Sequence, residues 1–342
     1  MVGAIMSGCG LVDGDGRHLQ PLSQTTVAQL GAMGSSQSDA MIMRIFKEES
    51  TLEVWKVTKG GTYKLFKSYE ICAWSGGLGP KFKEGDRQSP EGFYAVTPGL
   101  MNPRSNYYLA FNTGFPNKFD RAWGRTGSDL MVHGDCSSRG CYAMTDENIA
   151  ELYALGREAF RGGQRTFDLQ IYPFRMTTAN MIKHRNSPHM DFWWNLKEGY
   201  DAFEISKQNL KWDVCAGRYV FHPGGDGALN ANGACPAVSA SPELMAKVDA
   251  RQMSDKSAFK QASLDLDAKQ AKQAQDKQAA EIAAVERARQ FSDFNAAVEE
   301  QREAVTSVVG GFFSNLFGGD GPAEDLKPPV DVPVPASRIN RS

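Results

Sequence analysis

The chain lacks most of the features that assign a protein to a class at a glance. In 342 residues there is no apolar run of the roughly 18 or more that a membrane-spanning helix needs. Six cysteines in that length are too few for a disulfide scaffold. The formal net charge is only −2, with no dense Lys/Arg patch, so nothing points to nucleic acid. Histidine is scarce, and His184 and His189 have no third ligand near them in sequence, so neither a metal site nor a cofactor is expected.

What is present is one dense stretch, Met131-Val-His133-Gly134-Asp-Cys136-Ser-Ser138-Arg139-Gly140-Cys141. An apolar run leads in and a helix-like segment follows, so it reads as strand, tight turn and nucleophile. A thiol becomes a catalyst when a base takes its proton and backbone N–H groups hold an oxyanion. His133 supplies a base, and Gly134 and Gly140 allow a sharp turn and close approach to a substrate. A buried structural cysteine beside a core histidine is the competing reading.

Ser138-Arg139-Gly140-Cys141 resembles the Ser/Thr-His-Gly-Cys motif of the L,D-transpeptidases, a family with the YkuD-like fold, and His133-Gly134 resembles its upstream His-Gly. Arg139 stands where most members carry a second histidine, and the His-to-Cys spacing is short. Both departures are similar to the YafK-type branch, with its form His-Gly-x-Cys-x-x-x-Gly-Cys. Gly85-Asp86-Arg-Gln-Ser89-Pro90-Glu91-Gly92-Phe-Tyr94 resembles a second family signature, with Ser89 in place of Thr. The resemblance spans about residues 40–222. It implies a mainly β domain with α elements (α+β), a YkuD-like sandwich or barrel with packed helices. It also implies Cys141 as nucleophile and His133 as base, with Gly140, Ser138, Arg139 and Gly134 shaping the turn or oxyanion site. The implied substrate is a murein stem peptide cleaved at diaminopimelate. An amine acceptor gives a cross-link or a protein anchored to murein; water gives an amidase that releases a murein-linked lipoprotein. Lys81, Glu91, Arg125 and Arg175 are candidates to meet a charged stem, with a solvated loop or structural salt bridge as the plainer reading of each. A non-catalytic murein-binding module is the alternative of another class.

Around this domain the composition changes. Met6-Ser-Gly-Cys9 resembles a bacterial lipobox, which implies lipidation of Cys9 and a membrane-surface anchor in a Gram-negative envelope or periplasm, although the segment before it is too short for a full signal peptide. Residues 1–38 read as this N-terminus plus a flexible Gly/Ser/Gln-rich tether. The catalytic domain is expected over 39–223, opening with alternating, half-buried strands of an antiparallel sheet at Met41–Phe46, Leu52–Val57 and Tyr63–Phe66. Thr145-Asp-Glu caps a helix that Gly162-Gly163 stops, and Val214–Phe221 reads as the last strand. A linker is expected over 224–241, a helical extension over 242–317 that packs on the domain or forms a loose coiled coil, and a disordered Pro-rich tail over 318–342. Cys72, Cys136, Cys215 and Cys235 could pair in an oxidising compartment, and Cys136 could equally be a second thiol at the site or buried filler.

Overall fold

The computed structural model describes residues 16–138, 140–225 and 227–316. Cys9, Arg139 and the tail from 317 lie outside them. Two five-stranded sheets face each other. The first has β3 (Tyr63–Glu70), β2 (Thr51–Val57), β1 (Met41–Phe46), β10 (Phe167–Tyr172) and β5 (Gly92–Val96) in that order. The second has β4 (Ala73–Trp74), β9 (Tyr142–Ala143), β8 (Met131–His133), β7 (Ala110–Asn112) and β6 (Met101–Asn102). The fold is the expected α+β class. Neither sheet is purely antiparallel, because β1 pairs with β10, and β8 with β9, in parallel.

Parallel central strands need cover on both faces. Accordingly β1 and β10 are buried at every position, not on alternate ones. Met41, Met43 and Ile45 point into a core shared with the second sheet and with α3 (Asp146–Arg161). Ile42 and Phe46 point the other way, into a core built by α4 (Thr178–Lys183), α5 (Met190–Ser206) and the β11–β12 hairpin. Arg44 is also buried on that side, with its guanidinium over the Tyr200 and Phe203 rings and ion-paired to Glu204. The expected single last strand is this hairpin, β11 (Trp212–Cys215) and β12 (Arg218–Phe221), because Ala216 and Gly217 both take positive φ and reverse the chain.

Residues 16–38 are not a tether. Ser23 caps α1 (Gln24–Ala32) by accepting from the Thr26 N–H, and Leu22 and Leu30 are buried in the first core. Thr26 donates to Glu151 of α3 at 2.6 Å. The polar composition of this segment hides a two-residue apolar anchor.

The chain divides into compact units ending and beginning at Leu266 and Asp267. α6 (Pro242–Leu316) therefore contributes its opening stretch to the first unit, where Asp255 accepts from Lys197 and Thr178, and Phe259 packs edge-on against Trp194. The preceding segment is fastened by the Cys215–Cys235 disulfide and by the Gly224 N–H donating to Ala237.

The Gly/Pro-rich loop between β4 and β5 has no ladder of its own. It is held by a fully buried ion pair. Lys47 Nζ donates to Glu91 Oε1 at 2.9 Å and to the carbonyls of Gly77, Gly79 and Ser89. Glu91 in turn accepts from the Gly79 N–H and from Trp193 Nε1. Breaking a buried pair by removing one charge leaves the other uncompensated. Glu91→Gln is therefore expected to lower unfolding free energy by about 3–5 kcal/mol, measured by denaturant titration. An unchanged midpoint would show that the three carbonyls suffice to hold Lys47.

Candidate active site

The site grows out of the parallel pair β8–β9. Val132 stands opposite Tyr142 and His133 opposite Ala143. Side chains alternate along a strand, so Val132 and Tyr142 enter the core while Met131, His133 and Cys141 share the other face. The Met131 N–H donates to Cys141 Sγ at 3.4 Å, placing the sulfur beside β8 two residues from His133.

Each partner is fixed by backbone. His133 Nδ1 and the Gly134 carbonyl are 2.6 Å apart, so Nδ1 carries the proton and Nε2 is left as the acceptor. The Tyr107 ring lies 4.8 Å from the imidazole and covers it. The Cys141 thiol donates to the Asp129 carbonyl at 3.5 Å. Gly134 must be glycine, because a Cβ there would run into the Asp146 carboxylate and the Tyr107 carbonyl. Gly140 has φ +127°, a conformation other residues rarely adopt. Tyr108, Asp129, Asp135 and Cys136 are non-glycine residues at positive φ and surround the same site; backbone strain of this kind gathers at functional centres.

Three serines hold the turn. Ser138 Oγ donates to the Cys141 carbonyl at 2.6 Å and lies 3.1 Å from Ser75 Oγ. Ser89 Oγ donates to the same carbonyl at 3.4 Å and accepts from the Ser75 N–H. Tyr142 adds a hydrogen bond to the Pro90 carbonyl. The loop pinned by Lys47 and Glu91 is thus the floor on which the cysteine turn sits. A disulfide, Cys72–Cys136, ties the other side: its Cα atoms are 5.2 Å apart, and both flanking N–H groups donate to β9 or its next residue, Cys72 to Ala143 and Cys136 to Met144. Among the described residues Cys141 is the free thiol.

The proposed charged contacts fall out differently. Glu91 is fully buried and its oxygens are taken, so it cannot face a substrate. Arg125 is buried, ion-paired to Asp120 and stacked over Phe119. Arg175 pairs with Glu53 and lies over Phe46, on the far core. All three are structural. Lys81 is largely buried, bonded to Asp86 and the Lys83 carbonyl, yet close enough to Cys141 to favour its thiolate. His184 bonds to Glu48, and among the described residues no cluster has the makings of a metal site. Sequence reasoning passed over Lys47, Ser75, Tyr107 and Asp129. Ser75 and Ser89 flank the glycine-rich loop symmetrically, a usable signal; Lys47, at the end of β1, carries none.

With this geometry in place the comparisons agree with the motifs. Residues 36–159 match the family model of the L,D-transpeptidase catalytic domain, YkuD. The chain belongs to the L,D-transpeptidase family. It is 48% identical over 207 residues to the Escherichia coli K12 protein "Putative L,D-transpeptidase YafK", covering 60% of this chain and 81% of that protein. Among solved structures it has remote likenesses to the helical cell shape determining protein Pgp2 from Campylobacter jejuni, at 18% identity, 57% of this chain, 81% of that chain and TM-score 0.31. Another is L,D-transpeptidase 1 of Mycobacterium tuberculosis, at 15% identity, 39% and 62% coverage and TM-score 0.20.

Electrostatics set the resting state. Burial pushes the Cys141 thiol above its ordinary pKa; the Met131 N–H works against this and the Asp129 carboxylate adds to it. Burial likewise pushes His133 below its ordinary value, with the Gly134 bond and Asp135 pulling back. Both shifts favour the neutral pair, thiol and imidazole, over thiolate and imidazolium. Alkylation of Cys141 by iodoacetamide should therefore rise with pH through a midpoint above the ordinary thiol value of about 8.5, with Cys141→Ala as the blank. A midpoint below about 7 would mean a preformed thiolate–imidazolium pair.

Proposed function

We propose that this chain is a cysteine acyl-transfer enzyme acting on peptidoglycan stem peptides, with Cys141 as nucleophile and His133 as general base. The observation that carries the reading is that Cys141, the free thiol among the described residues, lies against the same strand, β8, that carries an imidazole whose Nδ1 is committed to a backbone carbonyl. His133 Nε2 takes the thiol proton as Sγ bonds to the carbonyl carbon at diaminopimelate. The backbone N–H of Cys141 and that of a neighbour hold the oxyanion. The C–N bond breaks, the leaving amine takes the proton from His133, and a thioester remains. An acceptor amine or water then attacks the thioester, returning the proton through His133 to sulfur. Because the resting pair is neutral, proton transfer accompanies attack.

Ser138, Gly140 and Gly134 are positioning residues in this scheme, and Lys81 supplies a nearby positive charge. Two disulfides in the described residues fit an oxidising compartment, and the murein substrate fits the bacterial envelope. Lipidation at Cys9 and an envelope-protein acceptor or lipoprotein substrate belong to the same proposal. The name of the E. coli relative supports the transpeptidase class.

Incubation with purified muropeptides, or with a carbapenem as acyl-donor mimic, followed by intact-mass measurement, tests it. Wild type is expected to gain one acyl adduct and Cys141→Ala none, with turnover falling roughly a thousand-fold or more. Chromatography of the products separates cross-linking from hydrolysis. An undiminished adduct on Cys141→Ala, or murein binding with no adduct at all, overturns the assignment.

A further inference from the structure

The second compact unit contains the greater part of α6, and its surface pattern has no use in the acyl-transfer site. Phe291, Val298, Val305 and Phe312 recur at intervals of seven, and Phe294 and Val308 fall three residues after Phe291 and Val305. These are the a and d positions of a heptad repeat. All six side chains are exposed, between 46% and 71%. Ala297 and Ala304 occupy g positions on the same face and let a neighbouring backbone come close. The opposite face carries Asp293, Glu299, Glu300 and Glu303.

We propose that this stretch, residues 291–312, pairs in register with the same stretch of a second copy of this chain as a parallel, two-stranded coiled coil. Three features select that occupant. The β-branched Val298 and Val305 at a positions favour two strands. Gln301 falls at a d position, where a symmetry-related glutamine amide can both donate to it and accept from it; an unrelated apolar partner would bury it unsatisfied. The polar face is acidic, whereas helices that lie on membranes carry Lys and Arg there, so an anionic lipid surface would repel it. Three phenylalanines at about 150 Å² each, with the valines added, approach the roughly 800 Å² per partner of a stable interface.

The test uses the full chain without detergent. Analytical ultracentrifugation at about 50 µM is expected to give twice the 37.5 kDa chain mass. Val298→Glu with Val305→Glu is expected to weaken dimerisation about a hundred-fold or more, since each places a charge in the seam. In a Cys141→Ala background, Phe294→Cys, a d position near one end of the stretch, is expected to give a disulfide-linked dimer on mild oxidation, which the background alone does not give; an antiparallel pair would hold the two thiols more than about 15 Å apart along the helix axis. A monomeric wild type, a double variant as dimeric as wild type, or co-sedimentation with phosphatidylserine vesicles in place of self-association overturns the proposal.

Discussion

The structure depends on one buried ion pair. Lys47 and Glu91 sit wholly out of water, and between them they tie the carbonyls of Gly77, Gly79 and Ser89 and the indole of Trp193 to one point. The loop so held has too many glycines and prolines to hold itself. Its two serines, Ser75 and Ser89, reach the turn that carries Cys141. Order thus runs from the end of β1, through a charge pair in the core, to the carbonyl of Cys141. The opposite flank is tied by the Cys72–Cys136 disulfide, so the cysteine turn is fastened from both sides.

Fastening by backbone and serine hydroxyls has a chemical consequence. Among the described residues no cation bonds to the sulfur and no carboxylate to the imidazole; the Met131 amide touches one and the Gly134 carbonyl the other. In a partly dry site such neutral partners do not offset the desolvation of a full charge. Both shifts therefore favour a protonated thiol and a neutral histidine at rest. A thiol kept in this form is protected from adventitious oxidation, which selects thiolates.

Much of the fold was legible in the sequence, for physical reasons. Alternation in Leu52–Val57 and the Lys59-Gly60-Gly61 turn mark the β2–β3 hairpin, and Thr145 with Asp146 marks the start of α3. His133, Gly134, Ser138 and Gly140 were visible because tight geometry restricts residue type locally. What was hidden depends on contacts between distant segments. Lys47 looks like an ordinary strand-end lysine until Glu91 is placed beside it. Glu91 and Arg125 could be taken for surface charges because sequence does not show that Trp193 and Asp120 complete them in the interior, and the partner of the half-exposed Arg175, the buried Glu53, is equally hidden in sequence. The burial of α1 rests on Leu22 and Leu30, outnumbered by polar neighbours. Double-sided burial of β1 follows from the parallel pairing with β10, more than a hundred residues away.

The central claim is that His133 is neutral, held as the Nδ1–H tautomer by the Gly134 carbonyl, while Cys141 is protonated. Nitrogen-15 NMR of the imidazole ring reads this directly. The account predicts a protonated Nδ1 and a bare Nε2 at neutral pH, with the ring titrating below the ordinary value of about 6.5. An imidazolium at neutral pH, abolished by Cys141→Ala, would contradict it and would mean that the thiolate–imidazolium pair is already formed.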